Sequence, residues 1–164
     1  MTTVAMPETP APLQVIEQIA TANKWPLDRV GDNQVNLFIA GRWSEYEVAF
    51  SWLPDLQVLH MACGFSLAVP ANQLEELRTL LRLLNEMVWV GHFDNWPQAD
   101  MVLFRHAALC PEGEGLSAQQ GCEMLLRGLE TCEDYFAAFG FVVRECKDAQ
   151  EALQMNITDT KGTA

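Results

Sequence analysis

The chain has 164 residues, 49% of them hydrophobic, with five cysteines and a formal charge of −12 from ten Lys and Arg against 22 Asp and Glu. That length and apolar content suit one domain burying about two-thirds of its unfolded surface, and the acidic balance disfavours nucleic acid and anionic membrane as partners. No apolar stretch approaches the roughly 18 residues of a membrane span, Met1 to Pro12 lacks a basic start followed by an apolar run, and the cysteines never take Cys-x-x-Cys spacing, so a soluble cytoplasmic protein with reduced thiols is expected.

Residues 1–11 read as a loose arm, with Thr9-Pro10 capping and opening a helix on which Leu13, Ile16, Ile19 and Ala20 recur until Trp25-Pro26. From Gln34 the period changes to two. Val35, Leu37 and Ile39, a turn at Gly41, then Tyr46, Val48, Phe50 and Trp52 predict a hairpin. Pro54-Asp55 supplies another turn, and Gln57 to Val69 is apolar at nearly every position, as in a central strand covered on both faces or one at an interface. Asn72 with Glu75 has the spacing of a capping box, and Leu74, Leu77, Leu81, Leu84 and Val88 form a helical stripe that Leu80, Leu83 and Met87 widen to a second face. Trp89–Asp94 and Met101–Leu109 predict a second hairpin, and Ser117 with Gln120 caps a helix carrying Cys122, Leu125, Leu129, Cys132, Phe136 and Phe139. The single domain spans 12–145, and 146–164 is a polar tail or frayed helix. The class is α+β: an antiparallel sheet with helices packed on it, in the order helix, three strands, helix, two strands, helix.

No side-chain constellation points to catalysis. His92 and Asp94 share a face of one strand, and His106 could complete a metal set from the next. A turn centred on Pro97-Gln98 pairs Asp94 near Met101 and His92 near Leu103, which places Arg105 on their face and His106 on the other, so an Arg105 to Asp94 ion pair is expected instead of a metal. Cys63 and His60 fall on opposite faces of their strand, which separates thiol from base, and Gly113-Glu114-Gly115 is too acidic to cradle phosphate. No catalytic, cofactor-binding or metal-binding residue is therefore assigned, and the chain reads as a non-enzyme. Trp52 and Trp89 lie in apolar runs and are expected in the core, whereas Trp25, Trp43 and Trp96 fall at turns, where a large ring covers a core edge or anchors a partner. Trp43, Phe50, Trp52 and Trp96 are the candidate partner contacts, and the excess of apolar surface implies a homodimer.

The order of Leu83-Leu84-Asn85, then Gly91-His92-Phe93, then Met101-Val102-Leu103-Phe104-Arg105-His106 resembles the bacterial YbjN-like family, as does the ending with Glu130, Tyr135, Phe136, Phe139 and Phe141-Val142-Val143. The likeness runs from Leu13 to Val143 and marks Asn85, Gly91, His92, Phe93, Phe104 and Arg105 as structural motif residues. It implies a fold similar to that of type III secretion chaperones, which are small, acidic, usually homodimeric α+β proteins that bind extended partner segments without hydrolysing ATP. It also implies a sensory transduction regulator. The expected function is a bacterial, cytoplasmic, non-enzymatic homodimer, chaperone-like or regulatory, that takes a protein or peptide partner by strand addition or by a helix in a groove. The alternative is a small-molecule-binding regulator with a pocket between sheet and helices, lined by Leu59–Leu67 with His60.

Overall fold

The computed structural model describes residues 9–161, with side chains as far as Thr158; residues 1–8 of the arm expected over 1–11, and the last residues, 162–164, lie outside that range. Helix α1 (Pro12–Ala22) opens with Pro12 in its first turn, where the missing N–H costs nothing. Its cap position is Ala11, so the expected Thr9-Pro10 cap is replaced by one residue pair further on. At its other end Lys24 takes a left-handed φ of 58° and Trp25 N–H returns to Ala20 C=O at 3.0 Å, closing the helix. A short strand that no periodicity signalled, β1 (Leu27–Arg29), pairs with β2 (Gln34–Ala40), which forms the expected hairpin with β3 (Glu45–Leu53). Then come β4 (Val58–Ser66), α2 (Leu74–Met87), β5 (His92–Trp96), β6 (Met101–Leu109), α3 (Ala118–Val143) and α4 (Ala149–Lys161).

The six strands form one antiparallel sheet in the order β1-β2-β3-β4-β6-β5. The β3–β4 and β5–β6 hairpins share a turn design. Leu53 and Trp96 lead into Pro54–Leu56 and Pro97–Ala99, each a single 3-10 turn, and Gln57 and Asp100 then take left-handed φ of 52° and 49°. The second turn, Asn95 to Asp100, holds no glycine, and its left-handed position is taken by an aspartate, a residue that tolerates this conformation. The expected order of elements holds, with β1 and α4 as additions.

Alternation decides which face is core. Val35, Leu37 and Ile39, Tyr46, Val48 and Phe50, Leu59, Met61, Cys63 and Phe65, and Val102 and Phe104 are buried on one face. The helices lie on that side. Gly128 of α3 lets the helix sit on β4, since a Cβ there would stand 2.6 Å from Met61 Cε and 3.3 Å from Cys63 Cβ. Phe65 meets Phe136 and Phe139 at 5.0 and 5.6 Å between ring centroids. Ser117 and Gln120 form the expected capping box of α3, whereas α2 begins at Leu74 behind a 3-10 turn and Asn72 caps nothing by side chain.

The polar ending beyond 146 folds as α4, packed on α2 and α3. Ala149 and Ala152 are buried, and Glu76 Oε2 accepts from Ala149 N–H at 3.0 Å. Asn156, also buried, enters the α3 backbone ladder: its Nδ2 donates to Asp134 C=O at 2.8 Å and its Oδ1 accepts from Ala138 N–H at 3.1 Å. An amide inserted between a carbonyl and the N–H four residues on is one of the few causes that bend a helix.

Candidate functional site

The six motif residues come together where α2 meets the edge of the sheet. Cys110 N–H bonds Gln57 C=O and Leu67 N–H bonds Asp100 C=O, which fixes the even-numbered residues of β6 as those bonded to β4 and the odd-numbered ones as facing β5. His92 pairs with Arg105 and Asp94 with Leu103, so Phe93 turns its N–H and C=O outward, to the unpaired side of the last strand. Asn85 of α2 fills that side: its Nδ2 donates to Phe93 C=O at 3.0 Å and its Oδ1 accepts from Phe93 N–H at 2.7 Å. Gly91, at φ 74°, turns the chain into β5 over the Phe104 ring, and the Phe93 ring packs on Phe104 at 5.4 Å and Phe139 at 5.3 Å.

The β5–β6 register differs by two residues from the expected one, because the turn takes up Pro97–Ala99 and Asp100. A shift of two keeps every side chain on its face. Arg105 therefore reaches Asp94, Nη1 to Oδ2 at 3.3 Å, as expected, while its Nε–H donates to His60 Nε2 at 3.3 Å from the neighbouring strand β4. His106 points to the helix side. Among the described residues no three His, Cys, Asp or Glu side chains gather as a metal set, and no helix is long and apolar enough to cross a membrane.

Burial first, then Arg105, His92 and His106 nearby, holds the His60 imidazole below the usual histidine range, and burial does the same to His106. The unfolded chain then binds more protons than the folded one just below pH 6.5, the ordinary histidine value, so stability that is complete above that value falls as pH drops through the depressed folded values. Protonation also removes the lone pair on His60 that Arg105 uses. We expect the urea midpoint to fall between about pH 7.5 and about pH 5.5, and to fall less in His60→Gln. Equal losses in both proteins would show that His60 takes no part.

The tryptophans divide otherwise than their surroundings in sequence suggest. Trp43 and Trp96 are half exposed and stand at the same end of the sheet, since Glu47, Gly64, Leu103 and Asp94 are joined by successive pairings and Trp43 precedes and Trp96 follows that row on the same side. Trp52 is partly buried at the opposite end, and Phe50 is wholly buried, so neither pairs with Trp43 in one surface and Phe50 offers a partner nothing in this structure. Trp89, expected in the core, is 99% exposed. It lies in the bend before β5, where Val90 is exposed with it while Val88 still packs on the core.

Trp43 also stacks under the Arg42 guanidinium at 4.7 Å beside a cleft of about 470 Å³ between the β2–β3 turn and the second half of α3, walled by Phe136, Gly140, Phe141 and Arg144. Glu133 Oε1 accepts from Arg42 N–H at 2.8 Å, and the buried Tyr46 hydroxyl lies near Glu133, with no partner at hydrogen-bond geometry among the described residues. Burial above all, with Glu133 adding to it, keeps that phenol neutral. Asp134, also on the cleft wall, is pushed up by burial and then by Glu130 and Glu133. The pocket expected along Leu59–Leu67 is not formed by those residues together: Leu59, Met61, Cys63 and Phe65 are packed in the core, and His60 faces the other way. Sequence reading missed this cleft and Asn156 alike. The spacing of Ala149, Ala152 and Asn156 held the signal for a helix with one small-residue face.

An antiparallel sheet backed on one face by helices, with its distinctive residues spent on joining α2 to the last strand, defines the class: a small α+β domain. The family model described as "Putative bacterial sensory transduction regulator" matches residues 12–141. The chain belongs to the YbjN family. Its fold is similar to that in "Crystal structure of YbjN, a putative transcription regulator from E. coli", with a TM-score of 0.54 and 10% identity over 73% of this chain and 84% of that one. A search of curated protein sequences finds no match.

Proposed function

We propose that this chain is a non-enzymatic protein-binding module, chaperone-like or regulatory, acting as a small acidic homodimer in the bacterial cytoplasm. The observation that carries the reading is the second face of the sheet. Among the described residues no helix packs there, and Phe38, Ala49, Val58, Ala62 and Leu103 face out between the strands, with Leu53 and Trp96 further exposed at its two ends. The same face carries Glu47, bonded by Asn36, and the Asp94–Arg105 pair, so apolar and aromatic side chains stand among partnered polar ones, the mixed composition of a non-obligate interface. Family membership supports the regulatory half of the reading, and the acidity supports a basic partner.

Light scattering should report a dimer, and affinity capture from the host cytoplasm should retain a protein that the doubly substituted Trp43→Ala, Trp96→Ala chain loses. A persistent monomer with an unchanged captured set would reject the reading. The cleft beside Trp43 favours a second one, a small-molecule-binding regulator, since an apolar aromatic wall with Arg42 and Arg144 at its rim suits an anionic ligand. A metabolite that strongly raises the melting temperature would favour it over the first.

A further inference from the structure

We infer that the end of β6, His106 to Leu109, is a strand acceptor that takes an extended, apolar peptide segment with basic flanks from another protein. This rests on the protein-binding reading and gives it a place. β4 pairs with β6 along its whole length, from Ser66 with Met101 to Val58 with Leu109, but β5 pairs only with Met101 to Arg105. The parity set by Cys110 and Leu67 turns the N–H and C=O of Ala107 and Leu109 to the side that β5 has left. Among the described residues no backbone hydrogen bond reaches them there, whereas the same side of the sheet is closed one strand further out by Asn85 on Phe93. Ala107 and Leu109 are exposed, Leu109 by 78%.

The surroundings fit a strand and its alternating side chains. On the helix side a cleft of about 670 Å³ runs between β6 and the start of α3, lined by Val90, His106, Ala108, Leu116 and Met124. On the open side Leu109, Val58 and Leu53 stand in one row across the register, so an added strand meets apolar surface on both faces. Val90, at the bend where β5 begins, borders the cleft beside the vacant place. An extended backbone can pair with both residues at once in place of solvent, and pockets on alternate sides then choose its side chains. Glu112 and Glu114 follow directly, and in the cleft Glu123 is offset by Arg127, so the acidic loop after β6 and the net charge of −12 favour basic flanks on the incoming strand over a second acidic copy at this edge.

The test is selection on the full chain from a displayed library of random peptides of about twelve residues, followed by amide exchange of the complex. Selected peptides should alternate apolar residues, carry Lys or Arg at their ends, and slow exchange at Ala107 and Leu109 at least about tenfold while His106 and Ala108, already bonded to β4, change little. Ala107→Pro removes an N–H that the β4 ladder does not use and should cut binding by at least about tenfold. Exchange on the unsubstituted chain decides the matter even if that variant folds poorly. Ala107 and Leu109 amides already slow in the free chain at low concentration, or slow only as chain concentration rises, would put this chain or a second copy on the edge and overturn the inference. Peptides that bind with both amides still open, and are lost on Trp43→Ala, Trp96→Ala, would overturn it while leaving protein binding intact. No enrichment over a bare support would count against both.

Discussion

Gly91→Ala should destabilise the chain by about 2–4 kcal/mol, which for a domain of this size is a fall in melting temperature of roughly 5–15 °C. Two separate costs meet at this position. At φ 74° any L side chain is strained, by about 1–2 kcal/mol. A Cβ there would also collide with the Phe104 ring and stand 2.6 Å from the Arg105 carbonyl oxygen. The ring can move by small adjustments, but the carbonyl belongs to β6 and cannot withdraw without loosening the pairing of His92 with Arg105. A second substitution, Phe104→Leu, should therefore recover only part of the loss. A melting temperature for Gly91→Ala within about 1 °C of the parent would show that the turn into β5 relaxes freely.

Asn85→Leu should cost a similar amount, about 2–4 kcal/mol, because it leaves the Phe93 N–H and C=O half-buried without partners while keeping the γ-branched shape of the side chain. Asn85→Asp separates the two bonds. The carboxylate can still accept from Phe93 N–H but repels Phe93 C=O, so this variant should fall between the parent and Asn85→Leu. Amide exchange supplies a local readout: Phe93 should lose protection far more than residues of β3 or β4. Equal loss across the sheet would mean that Asn85 acts on the whole fold and not as the closure of its edge.

Periodicity made most of the architecture legible. Val35, Leu37 and Ile39 or Tyr46, Val48 and Phe50 can be buried together only on one face of a strand, and the long spacing of Cys132, Phe136 and Phe139 can be buried together only on a helix. Where burial is slight, that signal is lost. β1 is exposed throughout, so nothing in its pattern marks it. α4 hides two alanines and an asparagine, which carry little hydropathy although they pack closely. Trp89 failed in the opposite sense, since an apolar run beside a strand looks like more strand until the turn at Gly91 is known. Gln57–Val69 read as doubly covered or interfacial; helices cover one face only, which leaves the second face to account for the remaining apolar residues. The motif residues were recognisable by their order, but not what they do. That Asn85 serves Phe93 follows from the edge position of β5, a property of the assembled sheet. The bare end of β6 was invisible for the same reason, because it depends on β5 starting at His92 and not earlier.

The matched turns at Pro54–Leu56 and Pro97–Ala99 bear on how such a sheet is put together. Each closes its own pair of strands across a few residues, so β3 with β4 and β5 with β6 are local events with little chain to bring in. The junction of β4 with β6 is different: it zips nine residue pairs between segments separated by all of α2 and β5. Slow, entropically costly closure is concentrated in that single seam, and the rate at which the polypeptide reaches its native form is governed there more than at either hairpin.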